Sequence, residues 1–397
     1  MNCEKLNQDI TRLQSLRNKF AQKIDELNDT MRGTIEARKI QEEVRGLENQ
    51  ILESYLAEFK EKDPDLFEWG LGETIEGFDG DMYTIVQLPG GGALVGGADG
   101  RLRECHKGTD GKWELGEQIE GFKSSVNTIA SLPDGEGMLV GGQWGELRVC
   151  HKGEDGRWKL GERIKGFEGL ITSIVQLPDG GVLVGSLSGE LYKCQKGADG
   201  KWEFGDRVIG SRWLKDGVTA LAQLLDGGVL VGGYTGELRE CRKGMDGKWE
   251  LGEQIEGLEQ NRINSISRLA DGGMLVGGQW GMLRECRRDK YGEWKLGEQV
   301  DGPCDDSTVI TQLPDGRVLV GGSWGNLYEF QKGEDGKWSL ERTKPLVHQG
   351  EVVGIAQLSD EKMLIGGLDG GLVEWRHDIS VKSLLRNLDK LIAKGAV

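Results

Sequence analysis

One unit of about 45 residues repeats along most of the chain and constrains its fold more than any other feature. In a clear copy, residues 223–257 read QLLDGGVLVGGYTGELRECRKGMDGKWELGEQIEG. Its three short apolar runs are separated by Asp-Gly and Gly-rich segments, which favour tight hairpin turns because glycine reaches positive φ without steric cost. Strands this short must fold back on one another, and a single meander needs copies beside it to bury both faces.

The copies keep a constant spacing along the chain. Equivalent leucines lie 44, 45, 47, 45, 44 and 45 residues apart in successive units: Leu88, Leu132, Leu177, Leu224, Leu269, Leu313 and Leu358. This constancy implies a fixed strand register, because a slip of one residue turns every side chain to the opposite face of the sheet. Seven units with this period predict a mainly β fold, a seven-bladed β-propeller of four-stranded blades.

The two ends of the repeat region share one unit. The seventh copy ends at Trp375 without a fourth strand. Near the N-terminus, the segment from Trp69 to Phe78 matches the segment from Trp113 to Phe122, which is the fourth strand of a unit. We therefore predict that an N-terminal outer strand completes the last blade and closes a propeller over residues 66–377.

The unit resembles the WD-repeat family. Its pattern reads I-x-G-F…V-x-x-I-x-Q-L-P-D-G-x-x-L-V-G-G-x-x-G-x-L-x-E-C, and the last unit, Leu368–Trp375, keeps the family's pattern best. Gly-Phe stands where the family has Gly-His, and Cys replaces its Trp in five units, so the family's His–Asp hydrogen-bond network is not expected. The resemblance implies a propeller whose turns between second and third strands lie on the top face.

Composition excludes several classes of function. The formal charge of −16 argues against nucleic-acid binding, which depends on clustered Lys and Arg. No apolar run is long enough to span a membrane, and the N-terminus lacks the apolar core of a signal peptide, so we expect a cytoplasmic protein. Five of the seven cysteines share one repeat position, which predicts buried, reduced thiols: Cys105, Cys150, Cys194, Cys241 and Cys286.

The sequence offers few candidates for catalysis. His106 and His151 follow the cysteine position, where other units carry Gln or Arg, and such a mixture is typical of a solvated strand position. The Asp-Gly pairs lack the alternating acidic ligands of a calcium loop and suit hairpin turns. We therefore predict no enzyme activity, no metal site and no cofactor.

Variation is concentrated in the two residues of the GG-x-x-G segment. Around the ring these pairs are Ala98-Asp99, Gln143-Trp144, Leu187-Ser188, Tyr234-Thr235, Gln279-Trp280, Ser323-Trp324 and Leu368-Asp369. Aromatic residues in surface turns are frequent at interface hot spots. The lengthened loop 211–216 is expected on the same face. The candidate site comprises Trp144, Trp280, Trp324, Tyr234, Trp213, Arg212, Asp99 and Asp369.

Three interpretations of these aromatic turns stay open. We favour a scaffold that binds a protein or peptide partner on the top face. In the first alternative, the tryptophans lie flat over neighbouring blades and replace the missing His–Asp network. In the second, repeated tryptophans stack on sugar rings, as in a glycan- or small-ligand-binding propeller.

Segments outside the repeats have helical periodicity. Residues 1–62 carry apolar residues at steps of three and four, which predicts either a helical hairpin bent at 29–33 or a long coiled coil. Self-association through residues 4–62 is one expected consequence. Residues 378–397 are predicted to form an amphipathic helix. Its stretch 380–394 is expected to pack on the N-terminal helices, and contact with a membrane surface is the alternative.

Overall fold

The computed structural model describes residues 68–135, 137–208, 214, 216–302, 305–345, 350–359 and 362–378. The predicted helical arm and C-terminal helix lie outside these ranges and stay predictions. Trp213 and Arg212 of the candidate site also lie outside them.

Seven four-stranded sheets arranged as blades make up the described part of the chain. Each blade begins with a strand that packs beside the first strands of the two neighbouring blades, and these contacts close into a complete circle. The first strands therefore form the inner wall around a central channel, as in a propeller. This architecture confirms the predicted seven-bladed β-propeller.

Blades 1 to 3 are regular antiparallel meanders. Blade 1 contains β2 (Met82–Gln87), β3 (Ala93–Gly97), β4 (Leu102–Lys107) and β5 (Trp113–Gln118). Blade 2 contains β6 (Val126–Ser131), β7 (Met138–Gly142), β8 (Leu147–Lys152) and β9 (Trp158–Arg163). Blade 3 contains β10 (Ile171–Gln176), β11 (Val182–Ser186), β12 (Leu191–Lys196) and β13 (Trp202–Arg207). Short 3₁₀ turns at Ala98–Gly100 and Gln143–Gly145 follow β3 and β7.

Blades 4 to 6 repeat the same order. Blade 4 contains β14 (Val218–Gln223), β15 (Val229–Gly233), β16 (Leu238–Lys243) and β17 (Trp249–Gln254). Blade 5 contains β18 (Ile263–Arg268), β19 (Met274–Gly278), β20 (Leu283–Arg288) and β21 (Trp294–Gln299). Blade 6 contains β22 (Ser307–Gln312), β23 (Val318–Gly322), β24 (Asn326–Lys332) and β25 (Trp338–Pro345).

Blade 7 joins the two ends of the repeat region. It contains β26 (Val352–Ser359), β27 (Lys362–Gly367) and β28 (Leu372–Asp378), and its outer strand is β1 (Glu68–Ile75). The strand order in this sheet is β1-β28-β27-β26, so the first strand of the described residues pairs with the last. The predicted closure by an N-terminal outer strand is therefore confirmed.

The cysteine position packs between neighbouring blades. All five cysteines at this position are fully buried free thiols, and burial raises the pKa of Cys241 to about 12. In blades 1 to 3 the cysteine shares a core cluster with the phenylalanine of the Gly-Phe loop: Phe78 with Cys105, Phe122 with Cys150, and Phe167 with Cys194. A sulfur atom and a phenyl ring together fill the space.

In blade 6 this space is filled by a residue of the strand instead of a residue of the loop. Its loop carries Pro303 where the first three blades have phenylalanine, and its strand β24 carries Phe330 where they have cysteine. The ring of Phe330 is fully buried and so close to Gly302 that a β-carbon there would lie 2.5 Å from it. Phe330 thus supplies from the strand a ring of the kind that the loop supplies in blades 1 to 3, which fits a position that accepts residues of different size.

Glutamates on third strands connect blades 4 to 6. Glu240 accepts hydrogen bonds from Arg288 at 2.6 Å and from the indole nitrogen of Trp294 at 2.8 Å, both in the next blade. Glu285 accepts from Lys332 at 2.8 Å and from the indole nitrogen of Trp338 at 2.7 Å. The indole rings of Trp294 and Trp338 therefore help to connect neighbouring blades.

Candidate interaction surface

Turns between second and third strands lie at the same end of the propeller as the loops that enter each next blade. The backbone N–H of the first turn residue donates to the carbonyl of the residue just before the inner strand: Tyr234 to Gly217 at 3.1 Å, Gln279 to Arg262 at 3.0 Å, and Ser323 to Asp306 at 3.1 Å. We call this end the top face. The channel-mouth residues are those just before each inner strand: Asp81, Ser125, Leu170, Gly217, Arg262, Asp306 and Glu351.

Large apolar side chains are exposed in the top-face turns of five consecutive blades. Trp144, Trp280 and Trp324 are 76%, 83% and 67% exposed. Leu187 and Tyr234, in the blades between, are 39% and 43% exposed. We call these five residues the apolar arc. Exposure of this extent does not fit the alternative in which the tryptophans lie flat over neighbouring blades.

Two of the three tryptophans have a backbone conformation that a large side chain rarely adopts. Trp144 and Trp280 each have φ of 57°, in the left-handed region, and Asp99 occupies the same position in blade 1 with φ of 55°. This region costs a residue with a β-carbon roughly 1–2 kcal/mol, and aspartate tolerates it better than tryptophan does. Retained strain of this kind points toward a role for the side chain rather than for stability.

Trp324 lies in a different turn. Its φ is not positive, and the turn is closed by Gly325, whose backbone N–H donates to the carbonyl of Gly322 at 3.2 Å. The repeat therefore presents tryptophan on two distinct backbone geometries.

Neighbouring aspartates anchor two of the tryptophan turns. The backbone N–H of Trp280 donates to the Asp306 carboxylate at 2.9 Å, and that of Trp324 donates to the Asp305 carboxylate at 3.0 Å. Asp305 is buried and also accepts from the Tyr328 hydroxyl at 2.6 Å. A dipeptide at the start of β22 thus holds the turns of blades 5 and 6 in place.

Tyr234 is supported by a cation from the next blade. The guanidinium of Arg262 lies 5.0 Å from the centre of the Tyr234 ring, a cation–π distance. Since Arg262 precedes the inner strand of blade 5, this contact joins the turn of blade 4 to the channel mouth. Tyr234, Trp280 and Trp324 consequently lie on three adjoining blades, whereas Trp144 is separated from Tyr234 by blade 3.

The two predicted aspartates lie on blades 1 and 7, outside the apolar arc. Asp99 pairs with Arg101 at 3.6 Å, and the Asp369 carboxylate accepts from the backbone N–H of Gly371 at 3.1 Å. Both belong to an acidic sector of the top face, which also contains three channel-mouth carboxylates. Those three follow one another around the ring: Asp306, Glu351 and Asp81.

Glu351 has a perturbed acidity in this sector. Burial raises the pKa of its carboxyl above the usual range, and the negative charge of Asp306 raises it further. Arg262 acts in the opposite direction more strongly than Asp306 does, but it does not cancel the effect of burial. Glu351, Asp305, Asp306 and Arg262 were not singled out from the sequence, and Leu187 was named only among the variable pairs. The first four lie next to a variable turn in the folded protein. The sequence alone does not show that they are adjacent to it.

Other features of the described chain are less suited to a site. A half-open groove of about 880 Å³ lies at the rim between β21 and β25, lined by charged residues together with Leu296, Trp338 and Leu340. Within the described ranges, no group of three or more His, Cys, Asp or Glu side chains is placed to hold a metal ion. The same residues include no helix with the length and apolarity needed to cross a membrane.

Comparison with known proteins supports the fold and nothing finer. No family profile matches the sequence, and no curated protein matches it. Among solved structures, the chain is similar to the WD40 β-propeller domain of Doa1, with 16% identity and a TM-score of 0.64 over 79% of this chain and 98% of that one. The fold therefore places this chain among β-propellers that resemble WD40 domains. Since 1502 solved chains match, the fold alone does not select a function.

Proposed function

We propose that this propeller is a non-enzymatic scaffold whose apolar arc binds a protein or peptide partner. The observation that carries the proposal is the exposure of Trp280 and Trp324 in adjoining, anchored turns. Exposed tryptophans are rare on a surface that binds nothing, and clusters of them are typical of interface hot spots.

Rigid presentation is the proposed mechanism. The turns are tied by hydrogen bonds to the ends of the inner strands, and those strands form a closed circle. A surface held this way loses little conformational entropy when a partner binds, so more of the interaction energy appears as affinity. The strained backbone at Trp144 and Trp280 fits this mechanism, because the strain is present before the partner arrives.

The described side chains give little support to a catalytic role. Burial raises the pKa of each cysteine thiol at the repeat position to about 12, so none of them supplies a thiolate near neutral pH. His106 lies on β4, where its Nε2 is 3.2 Å from a carboxylate oxygen of Glu114, and both side chains are partly exposed.

Glycan binding has less support than protein binding. A propeller that binds sugars at each tryptophan would present equivalent sites, but Trp144 and Trp280 differ from Trp324 in backbone geometry. Their surroundings also differ, since Asp305 and Asp306 anchor only the turns of Trp324 and Trp280. Several weak and equivalent sites in a titration with simple sugars would reverse this preference.

The test uses the full-length chain and a peptide selected against it from a random display library. We expect the double variant Trp280→Ala, Trp324→Ala to lose binding of that peptide while its thermal unfolding stays unchanged. Tyr291→Ala is the matched control, because Tyr291 is 78% exposed in a turn at the opposite end of the propeller. Retained binding by the double variant, or equal loss in the control, contradicts the proposal.

Other proposals rest on the sequence alone. They are self-association through residues 4–62, packing of the tail 380–394 and a cytoplasmic location. Size measurement on the full chain and on residues 66–377 would test the first of them.

A further inference from the structure

A cleft lies between blades 1 and 2 at the bottom face, the end of the propeller opposite the top face. It is half-open and has a volume of about 500 Å³. The turn between β2 and β3 lines one side, and Lys152 and Trp158 of blade 2 line the other. We call it the blade 1–2 cleft. The corresponding cleft between blades 4 and 5 has a volume of only about 260 Å³.

In blades 4 and 5, an arginine of the chain itself occupies this part of the repeat. Arg242 on β16 donates to the carboxylate of Asp226, which lies in the turn between the first two strands, and it also pairs with Glu240. The same arrangement recurs in blade 5 with Arg287, Asp271 and Glu285. The repeat can therefore hold a guanidinium between a turn aspartate and a third-strand glutamate.

Blade 1 keeps the glutamate and lacks the other two groups. Glu104 corresponds to the glutamates of blades 4 and 5, but Gly90 stands at the aspartate position and His106 at the arginine position. The Nε2 atom of His106 lies 3.2 Å from Glu114. A β-carbon built on Gly90 meets no atom within 4 Å, so the space of the missing aspartate side chain is open. The blade 1–2 cleft is therefore the wider of the two.

Polar atoms around this cleft have fewer partners than their counterparts in blades 4 and 5. Within the described ranges, the Glu104 carboxylate accepts a hydrogen bond from Lys152 at 2.9 Å. Its counterpart Glu240 contacts two cations and an indole nitrogen, which belong to Arg242, Arg288 and Trp294. The indole nitrogen of Trp158 has no hydrogen-bond partner among the described residues. Since a carboxylate has about four lone-pair sites, Glu104 can accept a further charged donor.

We propose that the blade 1–2 cleft binds an arginine side chain of a partner peptide, whose guanidinium pairs with Glu104 in the place that Arg242 occupies in blade 4. Arginine suits the site better than lysine because its planar fork of donors matches a carboxylate. Lys152 already offsets the charge of Glu104, and Gly90 supplies no second carboxylate, so a single arginine residue should bind with Kd on the order of 1 mM. The cleft shares no residue with the apolar arc and is a second, independent site.

The experiment titrates N-acetyl-arginine methylamide into the full-length chain. Nuclear magnetic resonance follows the indole N–H signal of Trp158, which is assigned with Trp158→Phe. We expect a saturable shift, and at least about tenfold weaker binding of N-acetyl-citrulline methylamide, which keeps the shape and removes the charge. Glu104→Gln should weaken binding of the arginine probe by about tenfold or more. Glu253→Gln removes an exposed carboxylate on β17 and should bind as the wild type does.

Two further variants use the differences between the repeats. Gly90→Asp restores the turn aspartate and should tighten binding about threefold to tenfold. His106→Arg gives blade 1 the arginine of blades 4 and 5 and should abolish binding, because the chain then fills its own cleft.

Several results would overturn the proposal. They are the absence of a saturable shift with the arginine probe, equal binding of the citrulline probe, unchanged binding by Glu104→Gln, and binding by His106→Arg as tight as that of the wild type. Circular dichroism shows whether each variant keeps its blades folded. Because these variants leave Trp280 and Trp324 in place, the outcome is separate from that of the peptide test on the top face.

Discussion

The carboxylate of Asp306 accepts a hydrogen bond from the backbone amide of Trp280 at 2.9 Å, across the boundary between blades 6 and 5. The bond holds a turn of one blade with a side chain that begins the next. The backbone of Trp280 is thereby anchored while the residue stays 83% exposed. The backbone amide and the Asp306 carboxylate thus hold the turn, and the indole ring remains available to a partner.

Replacement of Asp306 tests this separation. Asp306→Ala leaves the Trp280 amide without its acceptor, and we expect a loss of about 0.5–1.5 kcal/mol in the free energy of unfolding. Hydrogen exchange at the Trp280 amide should become faster. Asp306→Asn is the control, because its side-chain oxygen can still accept the bond and exchange should stay slow. Unchanged exchange in Asp306→Ala would show that the anchor contributes nothing to the turn.

Relief of the strained backbone should separate stability from binding. Trp280→Asn removes the indole and places a residue that tolerates φ of 57°, so we expect a gain of up to about 1 kcal/mol in stability together with loss of peptide binding. Trp324→Asn is the matched comparison, because Trp324 has no positive φ and should lose binding without the gain. Chemical denaturation measures both. An equal change in stability for the two variants would contradict the role given to backbone strain.

Glu351 should make stability depend on pH. Its pKa is raised in the folded protein by burial, which outweighs the opposing charge of Arg262, so ionisation is disfavoured in the fold and stability falls as pH rises through that pKa. Glu351→Gln should therefore raise the thermal midpoint near pH 7 relative to the wild type. The difference should disappear below the usual carboxyl pKa of 4.5, where Glu351 is protonated in both states. A lower midpoint for Glu351→Gln near pH 7 would contradict this assignment.

Because Phe330 replaces cysteine in blade 6, truncation at this repeat position should cost more stability in blade 6 than in the blades that carry cysteine. Phe330→Cys reproduces the residue found in five other blades, yet the loop of blade 6 supplies Pro303 and no phenyl ring. We expect a cavity and a loss of about 3 kcal/mol in unfolding free energy, near the lower end for removal of a buried ring. Cys241→Ala, a small truncation at the same repeat position, should cost much less. Comparable losses of stability for the two variants in urea unfolding would show that Phe330 does not compensate for the missing phenyl ring of the loop.

The sequence by itself determined the scaffold. Equivalent leucines from Leu88 to Leu358 counted the blades, and the match between Trp69–Phe78 and Trp113–Phe122 predicted how β1 closes the ring. These features follow from local physics, since turn residues and alternating burial act within a few residues of one another. The variable residue pairs of the top-face turns could likewise be identified, because each pair has a fixed place within its own repeat.

Only the tertiary structure decided how the top face is organised. Asp306 and Trp280 are 26 residues apart, and Arg262 and Tyr234 lie in different blades. No short-range sequence pattern therefore predicts these contacts. The exposure of Trp144, Trp280 and Trp324 likewise depends on what neighbouring blades leave uncovered. Repetition specifies each blade through its own residues, but the surface between blades arises from side chains that meet only after the ring has closed.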